Sequence, residues 1–187
     1  MNRSMTIVSG VLLGSLVLFC GMASATGAGD FWQYPAIQGY GPVHVWPEAT
    51  LKPEPGNVYK AVFDLTQAGK GLDKLNPGFD HIARTVNVFA AAGVPVDHLK
   101  FIVIIHGPAT PIALNAQAFE AKFHHPNPNL KVIEALRKAG VEVLVCGNAL
   151  ADMHFTPAEV NPQIKVALSA LSTLILEQNQ GYALMRM

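Results

Sequence analysis

Cys146 closes the apolar run Val141-Glu142-Val143-Leu144-Val145 and is followed at once by Gly147-Asn148. A run of this kind reads as a short buried strand, so the thiol stands at a strand's carboxyl end. A thiolate attacks electrophilic sulfur or binds soft metal ions. Gly147-Asn148-Ala149-Leu150 can turn straight into a helical segment, whose first backbone N–H groups would face the sulfur and favour its anionic form. The same position also suits a small inert core residue, since free cysteine is among the most buried types. Position alone leaves both readings open.

His106 heads the turn His106-Gly107-Pro108, which stops a second apolar run. An imidazole there could favour a thiolate by its charge or move a proton during sulfur exchange. It could equally be a histidine hydrogen-bonded at a strand end. Gly107 and Pro108 predict a tight turn whose amides could cradle a small anion. His124, His125 and His154 raise the question of metal, but no second cysteine or tight ligand cluster accompanies them and zinc-type spacing is absent. Gly69-Lys70-Gly71 lacks the other positions of a P-loop, no G-x-G-x-x-G occurs, and no G-x-S-x-G elbow exists. Nucleotide binding and serine-hydrolase chemistry have no support.

The elements that would position these residues alternate. Val58 to Leu65 is a strand, rich in β-branched and aromatic residues. Asn76-Pro77 opens a helix, asparagine as cap and proline in the first turn, with Phe79, Ile82, Val86 and Phe89 along one apolar face and Gly93 at its end. Leu99 to Ile105 is apolar without alternation, as a strand covered on both faces should be. Pro111 to Phe119 reads as a helix, Phe123 to Asn129 as a loop, and Leu130 to Ala139 as the next helix. After the Cys146 strand, Thr156-Pro157-Ala158-Glu159 has capping-box spacing. Ile164 to Leu168 is a fourth strand. Leu171, Leu174, Ile175 and Gln178 mark a last helix, and Tyr182 to Arg186 a closing strand. This order predicts βαβ units and a mostly parallel, about five-stranded sheet with helices on both faces, an α/β three-layer sandwich. Gln67, His106 and Cys146 then share the carboxyl edge of the sheet, where open α/β sheets bind ligands.

The chain has 187 residues, half of them apolar and 14% charged, enough for one domain with a sizeable core. Net charge is zero with histidine neutral, which leaves no basic surplus for nucleic acid or an anionic membrane. Arg3, the apolar stretch Met5 to Phe19, and Ala23-Ser24-Ala25 make up a secretory signal peptide over residues 1–25. The apolar run falls short of the ~20 residues that span a bilayer, and Phe19 stands where a lipoprotein signal wants a small residue. Cleavage predicts a periplasmic or secreted protein, not membrane-bound. It removes Arg3 and no acid, so the mature chain stays close to neutral. It also removes Cys20, leaving Cys146 as the single cysteine. An odd cysteine in an exported protein is buried and inert, bridged to another chain, or reactive. Residues 26–57 carry Trp32, Tyr34, Tyr40 and Trp46 among five prolines without any period. They read as an extended arm whose aromatics pack on the domain, 58–187, or on a neighbouring subunit.

VYKAVFDL, FAAAGVPVDHLKFIVIIHGPA, ALRKAGVEVLVCGNAL and the closing LILEQNQGYALMRM together resemble the DsrE/DsrF-like sulfur-relay family. The resemblance implies a flavodoxin-like, DsrE-like three-layer domain that commonly self-associates. It implies a role in accepting or handing on sulfane sulfur as a cysteine persulfide on Cys146, with His106 and Asn148 as pocket neighbours; Gly107, Gly147 and Gln67 complete the expected substrate site. No organic cofactor is needed. The expected partners are small sulfur species or a thiol-bearing protein, and a second copy of the chain. A different class of protein fits the same residues: a non-enzymatic assembly or binding module in which Cys146 is packed and the arm docks partners. A third reading uses His106, His124, His125 or His154 to hold metal or haem.

Overall fold

The computed structural model describes Met1 and residues 31–187. The targeting segment read in the sequence falls within residues 2–30, outside the described residues, apart from Met1. Five strands, β1 (Tyr59–Leu65), β2 (Leu99–Ile105), β3 (Glu142–Cys146), β4 (Lys165–Ala167) and β5 (Ala183–Arg186), form one sheet in the order β4-β3-β2-β1-β5, every pair parallel. The layering is flavodoxin-like, while the strand order differs from the 2-1-3-4-5 of flavodoxin itself.

Side-chain alternation along the strands divides the core in two. Phe63, Leu65, Val103, Ile105, Val143 and Val145 point to one face. They pack against α1 (Pro77–Ala91), α2 (Ala116–Phe123) and α3 (Leu130–Lys138) through Phe79, Ile82, Val86, Phe119, Val132, Ile133 and Leu136. Val62, Ile102, Ile104 and Cys146 point to the other face, which meets only the short α4 (Gly147–Asp152) and α5 (Ala170–Asn179) through Ala149 and Ala170. The sandwich is lopsided: the first face is sealed and the second is half covered. Leu171, Ile175 and Leu176 of α5 stay exposed there.

Local signals explain most element ends. Asn76 Oδ1 accepts the Gly78 N–H at 2.8 Å and Pro77 sits in the first turn of α1. Glu159 accepts from the Thr156 N–H at 2.7 Å at the start of a 3-10 turn. The helix expected over Pro111 to Phe119 is instead two elements, a 3-10 helix over Gly107–Ala113 and then α2. Pro108 and Pro111 lack the N–H groups a continuous α-helix needs. Asn115 restarts the chain by capping α2, its Oδ1 accepting from Ala118 N–H at 2.9 Å.

The arm is docked. Gln33 and Val43 pair in an antiparallel bridge, and Ile37 is buried against the α1 side of the core. Asn87, fully buried on α1, accepts from the N–H groups of Ala36 and Ile37 and donates to the carbonyls of Ile37, Tyr40 and Gly41. Gly41 donates its N–H to Asp80 at 2.8 Å. Its φ of +57° and its closeness to the Arg84 backbone leave no room for a Cβ.

Candidate functional site

The parallel register decides which side chains meet. Ile105 is opposite Val145, so the next residues, His106 and Cys146, occupy one row of neighbouring strands, whose backbones lie about 4.8 Å apart. Alternation sends both to the half-covered face: Ile104 and Cys146 belong to its cluster, and His106 follows Ile104 by two. The His106 backbone is still extended, and its N–H donates to Leu65 O at 3.1 Å, holding the residue in line with β1.

Cys146 is the N-cap of α4, and its Sγ accepts the Ala149 N–H at 3.4 Å. This is the amide contact that the Cys146-Gly147-Asn148 turn predicts. The cysteine is only 5% exposed. Gly147 permits this closeness: a Cβ there would sit 3.0 Å from Ala167 O on β4. Asn148 is exposed in the first turn of α4.

His106 has a partner that reading the sequence did not supply. Its Nε2 lies 2.6 Å from Asp64 Oδ1. Asp64 is on β1, two residues from Val62 and on the same face, with both members of the pair partly buried. An ionised carboxylate only accepts, so Nε2 is the donor, and in the neutral ring Nδ1 is the nitrogen that carries the lone pair. The only trace of this in the sequence is a carboxylate set among apolar residues in VYKAVFDL.

The remaining expected residues fare differently. Gly107 takes φ +53° and starts the 3-10 turn. The turn is a poor anion cradle, because Pro108 has no N–H and the Ala109 N–H is bonded to Thr66 O and His106 O. Gln67 does not join the cysteine. Its carbonyl accepts from Asn76 Nδ2 at 2.7 Å, and its side chain contacts Thr66. His124 and His154 terminate α2 and α4 in left-handed conformations, and His125 packs edge-on against Phe119. Among the described residues, no group of three His, Cys, Asp or Glu side chains is placed to hold a metal ion. No described helix is long and apolar enough to cross a membrane.

The site thus brings together a thiol that receives an amide N–H, an imidazole in the same row of the adjacent strand, and a carboxylate that orients the imidazole. It sits on the carboxyl edge of an all-parallel sheet with the order 4-3-2-1-5. A family model described as the DsrE/DsrF-like family matches residues 60–187. The chain belongs to the DsrE/DsrF-like family. Among solved structures, this DsrE-like chain is similar to one described as a protein of unknown function, MTH1491, from Methanobacterium thermoautotrophicum. The two share 16% identity at a TM-score of 0.51, over 69% of this chain and 99% of that one. That likeness concerns the fold. No curated protein matches the chain. The arm up to residue 59 lies outside the family match.

Proposed function

We propose that this DsrE-like protein carries sulfane sulfur as a persulfide on Cys146. The observation that supports this most is the adjacency of Cys146 and His106 on one face of the sheet, with His106 held by Asp64 at 2.6 Å. His106 Nδ1 takes the thiol proton. The Cys146 thiolate attacks the outer sulfur of a donor persulfide, R–S–SH; the donor S–S bond breaks as the new one forms, giving Cys146–S–SH and R–S⁻. The proton on His106 then passes to R–S⁻. An acceptor thiolate reverses the sequence and collects the sulfur. Small, linear sulfur species suit a thiol that is so little exposed. The reading includes export, which rests on Arg3, the apolar run and Ala23-Ser24-Ala25.

Intact mass of the mature protein after exposure to polysulfide tests the proposal, with Cys146→Ser alongside. The expected result is a gain of sulfur atoms that reductant reverses and the serine variant lacks. No gain, with a thiol that alkylates only after denaturation, would make Cys146 structural. The N-terminal residue of the exported protein tests cleavage after Ala25.

A second reading, an assembly module, is favoured by one observation. Leu168, in the link after β4, and Leu171, Ile175 and Leu176 on α5 are all more than half exposed, and a helix apolar on both sides belongs inside an assembly. Self-association through α5 is compatible with sulfur carriage, since the same face holds Cys146.

A further inference from the structure

A groove of about 500 Å³ separates the arm from the end of α1. Val45, Trp46 and Leu51 form its outer wall, and Val88, Ala91 and Ala92 of α1 its floor. Volume and lining match a small-molecule site, mostly apolar with few polar groups. The wall is built rather than loose. His44 stacks on Phe31 with ring centres 3.7 Å apart, donates its Nδ1–H to Phe31 O, and meets Trp46 edge-on at 4.7 Å. The bridge between Gln33 and Val43 and the Asn87 clamp fix this hairpin to α1. Yet Trp46 is 67% and Leu51 93% exposed.

Charge decides the kind of occupant. Lys52 is the one Lys or Arg lining the groove, and no carboxylate lines it. Its ammonium rests on the Pro47 carbonyl and has no ion-pair partner among the described residues. A cation would meet Lys52 unfavourably; a neutral ligand would leave it unused. We propose that the groove binds a small organic anion with an aromatic or short acyl body, the body lying on Trp46, Leu51 and Val88 and the negative group on Lys52. This site is on the opposite side of the sheet from Cys146 and stands apart from sulfur carriage.

The test is fluorescence titration of the mature protein with anilinonaphthalene sulfonate, an aromatic monoanion, and with its uncharged analogue N-phenylnaphthylamine. Saturable one-to-one binding of the anion is expected. Ala91→Phe, which fills the floor, should weaken both probes by about tenfold. Lys52→Gln should weaken the anion by about threefold and leave the neutral probe unchanged. Because α5 is also apolar, the titration is repeated on Leu171→Glu with Ile175→Glu, where binding should persist; circular dichroism checks that each variant folds. The proposal is overturned if Ala91→Phe binds the anion as the native protein does, or if binding disappears with the α5 variant. It is also overturned if the native protein binds neither probe while Trp46→Ala lowers its mass in solution, which would make the groove a contact between copies.

Discussion

His106 and Asp64 are 42 residues apart in the chain and 2.6 Å apart in space, joined Nε2 to Oδ1 where β1 and β2 end. The contact fixes the ring orientation and tautomer of the imidazole that shares a row with Cys146. Asp64→Asn keeps the shape but replaces an acceptor-only group with an amide that can present either face. The expected result is persulfide formation slowed by about tenfold or more at neutral pH, with an unchanged far-ultraviolet spectrum. Asp64→Glu should recover part of the rate. Equal rates in native and Asp64→Asn protein would reduce the pair to a strand-end hydrogen bond.

The α5 patch gives a prediction of another kind. Leu171→Glu with Ile175→Glu places two charges on an exposed apolar surface. If that surface packs against a second copy, the mass measured by light scattering falls to one chain while the unfolding temperature of the monomer changes little. Surface changes of this sort otherwise lie within about 0.5 kcal/mol. A native protein that is already monomeric at high concentration would remove self-association from the reading.

Much of the sheet was legible because strands buried on both faces are written as continuous apolar runs bounded by glycine and proline. VYKAVFDL, LKFIVII and VEVLVC are all strands, ending at Leu65, Ile105 and Cys146. Periodicity also marked α1, and the helix read over Leu130 to Ala139 is α3. The reading of one helix failed at Pro111 to Phe119. There Asn115 acts as a cap, a polar residue whose backbone-competing side chain starts elements. Pairing was the larger loss. A sequence places Cys146 and His106 on one edge but contains no register, so their sharing a row, and the place of Asp64 beneath them, emerge only from the ladder. Asn87 shows the same limit: an asparagine on the buried side of a helix is a polar residue out of pattern until the arm it holds is seen.

Asn87 is also where the arm is most vulnerable. Asn87→Leu is close in size and cannot make any of the five contacts to residues 36–41. It leaves buried amides and carbonyls without partners, at about 2–4 kcal/mol in total. Urea unfolding should show that loss. Brief proteolysis should cut the arm while residues 60–187 persist. Gly41→Ala should release the arm by a different route, through collision with the Arg84 backbone. An arm that stays resistant in both variants would mean that its aromatic contacts suffice without the clamp.

Glu177 on α5 carries the clearest pH signature. Burial raises its pKa above the ordinary carboxylate value, and the nearby charge of Glu142 raises it further. The native state therefore holds this proton more tightly than the unfolded chain does. The cost of ionising Glu177 is fully present above its folded pKa and fades as pH falls through that value towards the unfolded one, about 4.3. Glu177→Gln removes the cost. It should raise the unfolding temperature at pH 7 to 8, with the gain shrinking as pH drops and vanishing once the carboxyl is protonated in both states. Tyr182 beside it, itself pushed up by burial and then by Glu177 and Glu142, should titrate closer to its ordinary value in the same variant. A gain that is the same at every pH would instead trace to helix propensity or packing, because neither depends on the charge of residue 177.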